Sequence, residues 1–138
     1  MSTSPSRSLP KLGVPEIDAQ HEQMERVIRA LEAVVTANRP PALQAALLAR
    51  LEQVTVAHFA TEERLMGSAC FPYFHEHKGL HDLLKRQLRD LREKQSPGRG
   101  SLTRETLAFL GRWFVDHVAN VDQKLTQFLI AQSRPARR

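Results

Sequence analysis

The sequence predicts an all-α protein, an up-down-up-down antiparallel four-helix bundle preceded by an irregular N-terminal arm. Two observations predict it. Apolar residues recur at three-and-four spacing in four separate segments of the chain, which is the period of an amphipathic helix. The breaks between these segments are short, at 38–41, 67–72 and 95–101, and short connections make successive helices antiparallel neighbours.

Each of the four predicted helices has one inward stripe, and every stripe contains at least one histidine. The first stripe consists of Ile17, His21, Met24, Ile28, Leu31 and Val35. The second, on a helix from about Pro41 to Met66, consists of Leu47, Leu51, Val54, His58, Glu62 and Leu65. The third consists of Phe74, His77, His81, Leu84, Leu88 and Leu91. The fourth consists of Leu107, Leu110, Phe114, His117, Val121, Leu125 and Phe128.

The length of 138 residues is that of one domain. We expect an N-terminal arm over residues 1–15, the bundle over 16–131 and a basic tail over 132–138. The single cysteine, Cys70, excludes an intrachain disulfide and a cysteine-rich zinc site. Apolar runs of signal-peptide or membrane-spanning length are absent from the sequence. We therefore expect a cytoplasmic protein that does not bind a membrane.

The net charge of +5 raises the question of nucleic-acid binding. Much of this charge comes from the C-terminal RPARR and from basic residues scattered over helix faces. They have no aromatic platform beside them and match no nucleic-acid-binding motif, which is typical of a solubilising surface. We expect no nucleic-acid partner.

Five of the six histidines lie at inward positions, together with two carboxylates. These candidate ligands are His21, His58, Glu62, His77, His81, His117 and Asp122. One buried imidazole is common in a core, but a buried polar group without a partner costs several kcal/mol or shifts its pKa. A bound cation would satisfy all of these groups together, so the pattern indicates a metal site.

The spacing of the candidate ligands agrees with helix geometry. His58 and Glu62, like His77 and His81, are four residues apart and project from a helix only about 40° apart. His117 and Asp122 are five apart, which on a regular helix separates them by about 140°. We therefore predict a π-type turn near Val118 to Val121, in which residues five apart share one face.

The types of ligand limit the choice of metal. Imidazole and carboxylate without thiolate suit iron, zinc, manganese or nickel. Seven ligands are too many for one tetrahedral zinc and suit two octahedral ions bridged by carboxylates. Neither the zinc-protease helix motif nor the Glu-x-x-His pair of carboxylate-rich di-iron bundles occurs. An imidazole-rich shell stabilises ferrous iron, which favours binding of O2 over cleavage of its O–O bond.

These residues resemble the motifs of the hemerythrin family, in its single-domain bacterial form. The sequence has IDAQH ending at His21, HFATE from His58, HKGLH from His77 and HVANVD ending at Asp122. The resemblance spans roughly residues 9–130 and covers all seven ligand positions. EERLM and PYFHEH also resemble less strict patterns of the family at these places.

The resemblance implies two iron ions per chain with an oxo or hydroxo bridge. One iron would be held by His77, His81 and His117, and the second by His21 and His58. Glu62 and Asp122 would bridge the two irons, and an open position on the second iron would bind O2. Two departures from the family affect the O2 pocket: the N-terminal tryptophan is missing, and Phe114 stands beside Trp113 where leucine is usual. Trp113 and Phe114 are the candidate lining residues of that pocket.

The expected function is reversible O2 binding for storage, delivery or sensing, without enzymatic activity. One alternative is a di-iron redox enzyme acting on peroxide, nitric oxide or ferrous iron. Another is an interaction module that the oxidation state switches, signalling to a separate protein partner that the sequence does not identify. We expect a monomer. His75, the sixth histidine, lies off the stripes and is expected at the surface.

Overall fold

The computed structural model describes residues 9–37, 40–94 and 103–133. Over these residues it is helical and contains no strand. The helices are α1 (Pro15–Thr36), α2 (Pro41–Ser68), α3 (Phe74–Lys94), α4 (Arg104–Asp116) and α5 (Gln123–Ser133), with a π-helical turn (His117–Asp122) between α4 and α5. Because α4, the π-turn and α5 follow without a break, they form one helix, the fourth of the bundle. The predicted all-α four-helix fold is confirmed.

The helix starts follow from local chemistry. Pro15 and Pro41 open α1 and α2, where a missing N–H costs nothing and the fixed φ suits the first turn. The start of α4 is capped by Thr103, whose hydroxyl oxygen accepts a hydrogen bond from the backbone N–H of Thr106 at 3.1 Å. The connection predicted at 95–101 lies outside the described residues, as do most of the basic tail and the first eight residues of the arm.

The described part of the N-terminal arm is tied to α1 through Asp18. Its carboxylate accepts hydrogen bonds from the backbone N–H of Leu12 at 2.8 Å and of Gly13 at 3.1 Å. Gly13 has a φ of +96°, and a Cβ at this position would lie 3.0 Å from Cδ1 of Ile130. Glycine is favoured here because its backbone adopts a positive φ without strain, and a Cβ would in addition require the end of the Ile130 side chain to shift.

The end of α2 is a Schellman motif. The N–H of Phe71 donates to the carbonyl of Met66 at 2.9 Å, and the N–H of Cys70 donates to that of Gly67 at 3.3 Å. Cys70 occupies the left-handed position, with a φ of 53°, where glycine is usual. The motif directs Phe71 back to Met66 in the core, and α3 begins after it.

Two apolar clusters form the core, and the predicted metal ligands lie between them along every helix. The larger cluster includes Met24, Leu51, Leu88 and Leu110. The smaller cluster consists of Ile17, Met66, Phe71 and Leu125. A polar layer with apolar packing on both sides is shielded from water, which strengthens every electrostatic interaction within it.

Some predicted inward positions are occupied by a neighbouring residue instead. Val118 is fully buried whereas Val121 is half-buried, because the π-turn adds a residue and changes the register of the stripe. On α2, Leu48 and Met66 are fully buried whereas the predicted Leu47 and Leu65 are half-buried. The helix also extends beyond Met66, to Ser68.

Among the described residues, every helix is too short or too polar to cross a membrane.

Candidate metal centre

The seven predicted ligands meet in one buried layer. His117 is 5% exposed and the other six side chains are less exposed still. The layer draws on every helix of the bundle: α1 gives His21, α2 gives His58 and Glu62, α3 gives His77 and His81, and the π-turn gives His117 and Asp122. His75 is exposed at the surface, as predicted.

Glu62 points its two carboxylate oxygens at different histidines. Oε1 lies 3.2 Å from Nε2 of His77 and 3.0 Å from Nε2 of His81. Oε2 lies 3.2 Å from Nε2 of His58. One oxygen thus faces the pair from α3, and the other faces the histidine one turn earlier on α2.

Asp122 divides its oxygens in the same way. Oδ1 lies 3.1 Å from Nε2 of His77 and 3.1 Å from Nε2 of His117. Oδ2 lies 2.8 Å from Nε2 of His21 and 3.6 Å from Nε2 of His58. Each carboxylate therefore presents one oxygen to each of two groups of imidazoles.

The donor atoms form two overlapping sets that share both carboxylates, and the atoms within each set lie within 4.8 Å of one another. One set contains His77, His81 and His117 with the two carboxylates. The other contains His21 and His58 with the same carboxylates. We call them the three-histidine half and the two-histidine half. Two cations bridged by carboxylates require this division of donors.

The π-turn brings His117 and Asp122 together. The N–H of Gln123 donates to the carbonyl of Val118, five residues earlier, which is the hydrogen bond of a π-helix. Residues five apart then lie one above the other, so both side chains reach the layer. The predicted π-turn is confirmed.

The charges of the layer oppose each other at short range. Burial lowers the pKa of His58 and of His77, but the nearby carboxylates of Glu62 and Asp122 outweigh it and raise each to about 9. Burial raises the pKa of both carboxyls, but the surrounding imidazoles hold them below their ordinary values. Burial lowers the pKa of the His81 imidazole. Without a metal, the layer binds protons in place of cations.

The donor set fits a metal. Besides Nδ1 of His21, five of its buried atoms make no hydrogen bond within the described residues: Nε2 of His58, Nε2 of His81, Nε2 of His117, Oε2 of Glu62 and Oδ1 of Asp122. Buried polar atoms are normally satisfied, and a cluster of unsatisfied ones requires an ion or another ligand. All five face their own group of donors, and imidazole with carboxylate suits first-row metals such as iron.

Two side chains that sequence analysis missed form hydrogen bonds to His58 and His81 on the side of each ring that faces away from the layer. Nδ1 of His58 lies 2.7 Å from Oε1 of Gln20, and Nδ1 of His81 lies 3.0 Å from Oε2 of Glu63. With Nε2 of each ring directed into the layer, Nδ1 carries the proton and donates these bonds, which fix the orientation of the ring. Only the positions of Gln20 and Glu63 next to His21 and Glu62 could have drawn attention to them.

Aromatic rings surround the layer. Phe59 stacks on His81 with ring centroids 3.8 Å apart and planes 7° apart, although the predicted stripe of α2 omitted it. The two predicted pocket residues contact different halves. Trp113 stacks on His117 at 4.6 Å and 13°, and the ring of Phe114 stands nearly perpendicular to that of His21 at 6.1 Å.

A four-helix bundle with a buried layer of imidazoles and shared carboxylates from all its helices is a metal-binding bundle. The model of one family, the hemerythrin HHE cation binding domain, matches residues 12–129. The chain belongs to the hemerythrin family, and the resemblance predicted from its motifs is confirmed.

Curated relatives match most of the chain. Bacteriohemerythrin of Ralstonia nicotianae is 31% identical over 126 residues, which cover 91% of this chain and 88% of the relative. Bacteriohemerythrin of Pseudomonas paraeruginosa is 30% identical over 110 residues, which cover 80% and 71%. Myohemerythrin of Riftia pachyptila is 32% identical over 114 residues, which cover 83% of each.

Solved structures agree with the fold. The crystal structure of wild-type hemerythrin has a TM-score of 0.76 and 28% identity, and the match covers 84% of this chain and 88% of that one. A single-residue mutant of hemerythrin reaches a TM-score of 0.79 with the same identity and coverage.

Proposed function

We propose that this protein is a non-haem di-iron protein that binds O2 reversibly, for oxygen storage, delivery or sensing. The observation that carries the proposal is the division of oxygens in Glu62 and Asp122. Each carboxylate turns one oxygen to the three-histidine half and one to the two-histidine half. The family and the imidazole-rich donor set support iron as the metal.

In this proposal His77, His81 and His117 hold one iron and His21 and His58 hold the other. Glu62 and Asp122 would be shared by the two irons, together with an oxo or hydroxo group. The chain gives five donors to the three-histidine half and four to the two-histidine half. The half with fewer donors has room for O2. Two ferrous ions held there would supply the redox chemistry of O2 binding.

The charge of the layer suits a buried position. Two carboxylates and one hydroxide leave about one net positive charge on two divalent ions, so little charge has to be desolvated. The apolar clusters on either side exclude water, which favours release of O2 over loss of its reduced products. We assign Phe114, whose ring lies against His21 of the two-histidine half, to the lining of the O2 pocket. Trp113 stacks on His117 of the three-histidine half and supports that half in place of the pocket.

Binding without chemical turnover agrees with the ligand set. Five neutral imidazoles stabilise the ferrous state, whereas the high oxidation states that follow O–O cleavage need more anionic oxygens. We therefore propose an oxygen-binding protein and not an enzyme.

The test is reconstitution of the metal-free protein with ferrous iron under anaerobic conditions, followed by metal counting and optical spectra. We expect two irons per chain and a charge-transfer band that appears with O2 and disappears on purging with inert gas. A band that persists, or iron that oxidises without an O2-dependent band, would contradict reversible binding. Catalytic consumption of peroxide or nitric oxide would favour the enzyme in its place.

A further inference from the structure

The two halves of the centre are supported by side chains of different charge. In the two-histidine half, His58 donates through Nδ1 to the neutral amide oxygen of Gln20 at 2.7 Å. In the three-histidine half, His81 donates through Nδ1 to the carboxylate of Glu63 at 3.0 Å. The geometry of the two contacts is similar, but only one of the acceptors carries a negative charge.

We propose that Glu63 and Gln20 are positioning residues that set the reduction potential of the centre and make its two halves unequal. A carboxylate that accepts a hydrogen bond from an imidazole N–H makes the other nitrogen of that ring a stronger donor to a metal. Glu63 therefore stabilises ferric iron in the three-histidine half. Gln20 orients His58 without adding charge, so it leaves ferrous iron favoured in the two-histidine half.

The hydrogen bond of Glu63 to His81 does not compete with one to Lys78. The Lys78 ammonium attracts Glu63 electrostatically, but it donates its hydrogen bonds to both oxygens of Asp82, at 3.0 and 3.3 Å. The side chain of Glu63 is 21% exposed. Partial burial limits screening by solvent, so a charge one imidazole away from the metal retains its effect.

Gln20 is fixed by a short chain of hydrogen bonds. Its amide Nε2 donates to the hydroxyl of Thr61 at 2.9 Å, and that hydroxyl donates to the carbonyl of Ala57 at 3.2 Å. The amide oxygen of Gln20 is therefore the end turned to His58. A glutamate at position 20 could keep both contacts, because the Thr61 hydroxyl can rotate and donate to it.

The inference rests on the proposed di-iron centre but needs no O2. The experiment is a redox titration of the iron-loaded protein under anaerobic conditions, with iron counted for every variant. Failure of reversible O2 binding would therefore overturn the proposed function and leave this test intact.

Glu63→Gln keeps a hydrogen-bond acceptor for His81 but removes the charge. We expect the oxidation equilibrium to shift about tenfold towards ferrous iron, which raises the one-electron midpoint potential by about 59 mV. Gln20→Glu, the matched change in the other half, should lower the potential by a similar amount. The double variant, in which the charges are exchanged, should return the mean potential close to that of the original protein.

A merely structural role predicts a different pattern. If Glu63 and Gln20 only orient the rings, Glu63→Gln and Gln20→Glu would both bind two irons at unchanged potentials, and the proposal would be wrong. Equal shifts of the same sign in both single variants would also overturn it. As a control, Glu22→Gln, at an exposed position on α1, should leave the potential unchanged.

Discussion

Glu62 and Asp122 differ from the five histidines in what they contribute to the centre. A histidine offers the layer one donor atom, whereas each carboxylate faces both halves. Their charges also decide the protonation of the metal-free layer, because they raise the pKa of His58 and of His77 in spite of burial. In the proposed centre, substitution of a carboxylate should therefore affect both halves together.

Glu62→Ala should bind far fewer than two irons per chain. The substitution removes a donor from each half and leaves Nε2 of His81 and of His58 without the carboxylate they now face. The measurement is the iron content after anaerobic reconstitution, with Glu22→Ala as the exposed control. Two bound irons and normal O2 binding in Glu62→Ala would show that the ligand assignment is wrong.

Metal affinity should rise steeply with pH. His58 and His77, whose pKa values are about 9 in the metal-free protein, are protonated at pH 7 and must lose those protons to bind a metal. His58 and His77 belong to different halves, so each metal ion displaces one of these protons. The affinity for each ion should rise about tenfold per pH unit, and the overall constant for two ions about a hundredfold, while the pH stays below those pKa values.

Competition titrations with zinc, which has no redox chemistry, can measure this dependence between pH 6.5 and 8. Calorimetry in two buffers of different ionisation enthalpy gives the number of protons released. A zinc affinity that does not change over this range would show that neither imidazole is protonated in the metal-free layer.

At the scale of elements, the π-turn and the end of α2 are two departures from regular helix that help to position ligands of the proposed centre. The π-turn turns Asp122 into the layer and leaves Val121 half-buried. The Schellman motif ends α2 at Ser68, six residues after Glu62, and directs the chain into α3, which carries His77 and His81.

Exchange of the two residues at the end of the π-turn, Val121→Asp with Asp122→Val, should abolish binding of two metals. The spacing from His117 becomes four residues, which would suit a regular helix but not a π-turn. The measurements are the metal content and the helical circular dichroism, which confirms folding. Retention of two metals would mean that the π-turn does not determine where the carboxylate points.

Cys70→Gly should stabilise the fold by about 1 kcal/mol, because glycine adopts the left-handed conformation of this position without steric cost. Cys70→Ala retains the Cβ and serves as the matched control, with little expected change. Urea unfolding of the metal-free protein measures both. Equal stabilities of the glycine and alanine variants would show that the backbone conformation at residue 70 is not strained.

At the scale of the whole molecule, the centre joins all the helices of the bundle through their buried faces. A metal that binds this layer binds only the folded chain, since the ligands are up to 101 residues apart in sequence, as for His21 and Asp122. Metal binding and folding are therefore linked.

The metal-loaded protein should be more stable than the metal-free protein. A free metal concentration about a hundredfold above the dissociation constant corresponds to about 2.7 kcal/mol. Thermal unfolding with zinc and after treatment with a chelator measures the difference, and Glu62→Ala should lose most of it. An unfolding temperature that is the same with and without zinc would contradict the linkage.

The sequence by itself determined the helical fold, the inward histidines and the π-turn. Periodicity defines which residues share a helix face. A regular helix cannot place His117 and Asp122, which are five residues apart, on the same face. The buried Leu48 and Phe59 escaped prediction because α2 buries more than one stripe, and periodicity alone does not reveal how wide the buried face is.

Only the tertiary structure decided how the polar groups pair. Sequence spacing places Glu62 and Asp122 on inward faces, but the division of their oxygens depends on how α2, α3 and the π-turn pack together. The contacts of Gln20 with His58 and of Glu63 with His81 join residues 38 and 18 positions apart. A hydrogen bond between helices depends on the rotation of both helices and on side-chain rotamers, which the local sequence pattern does not contain.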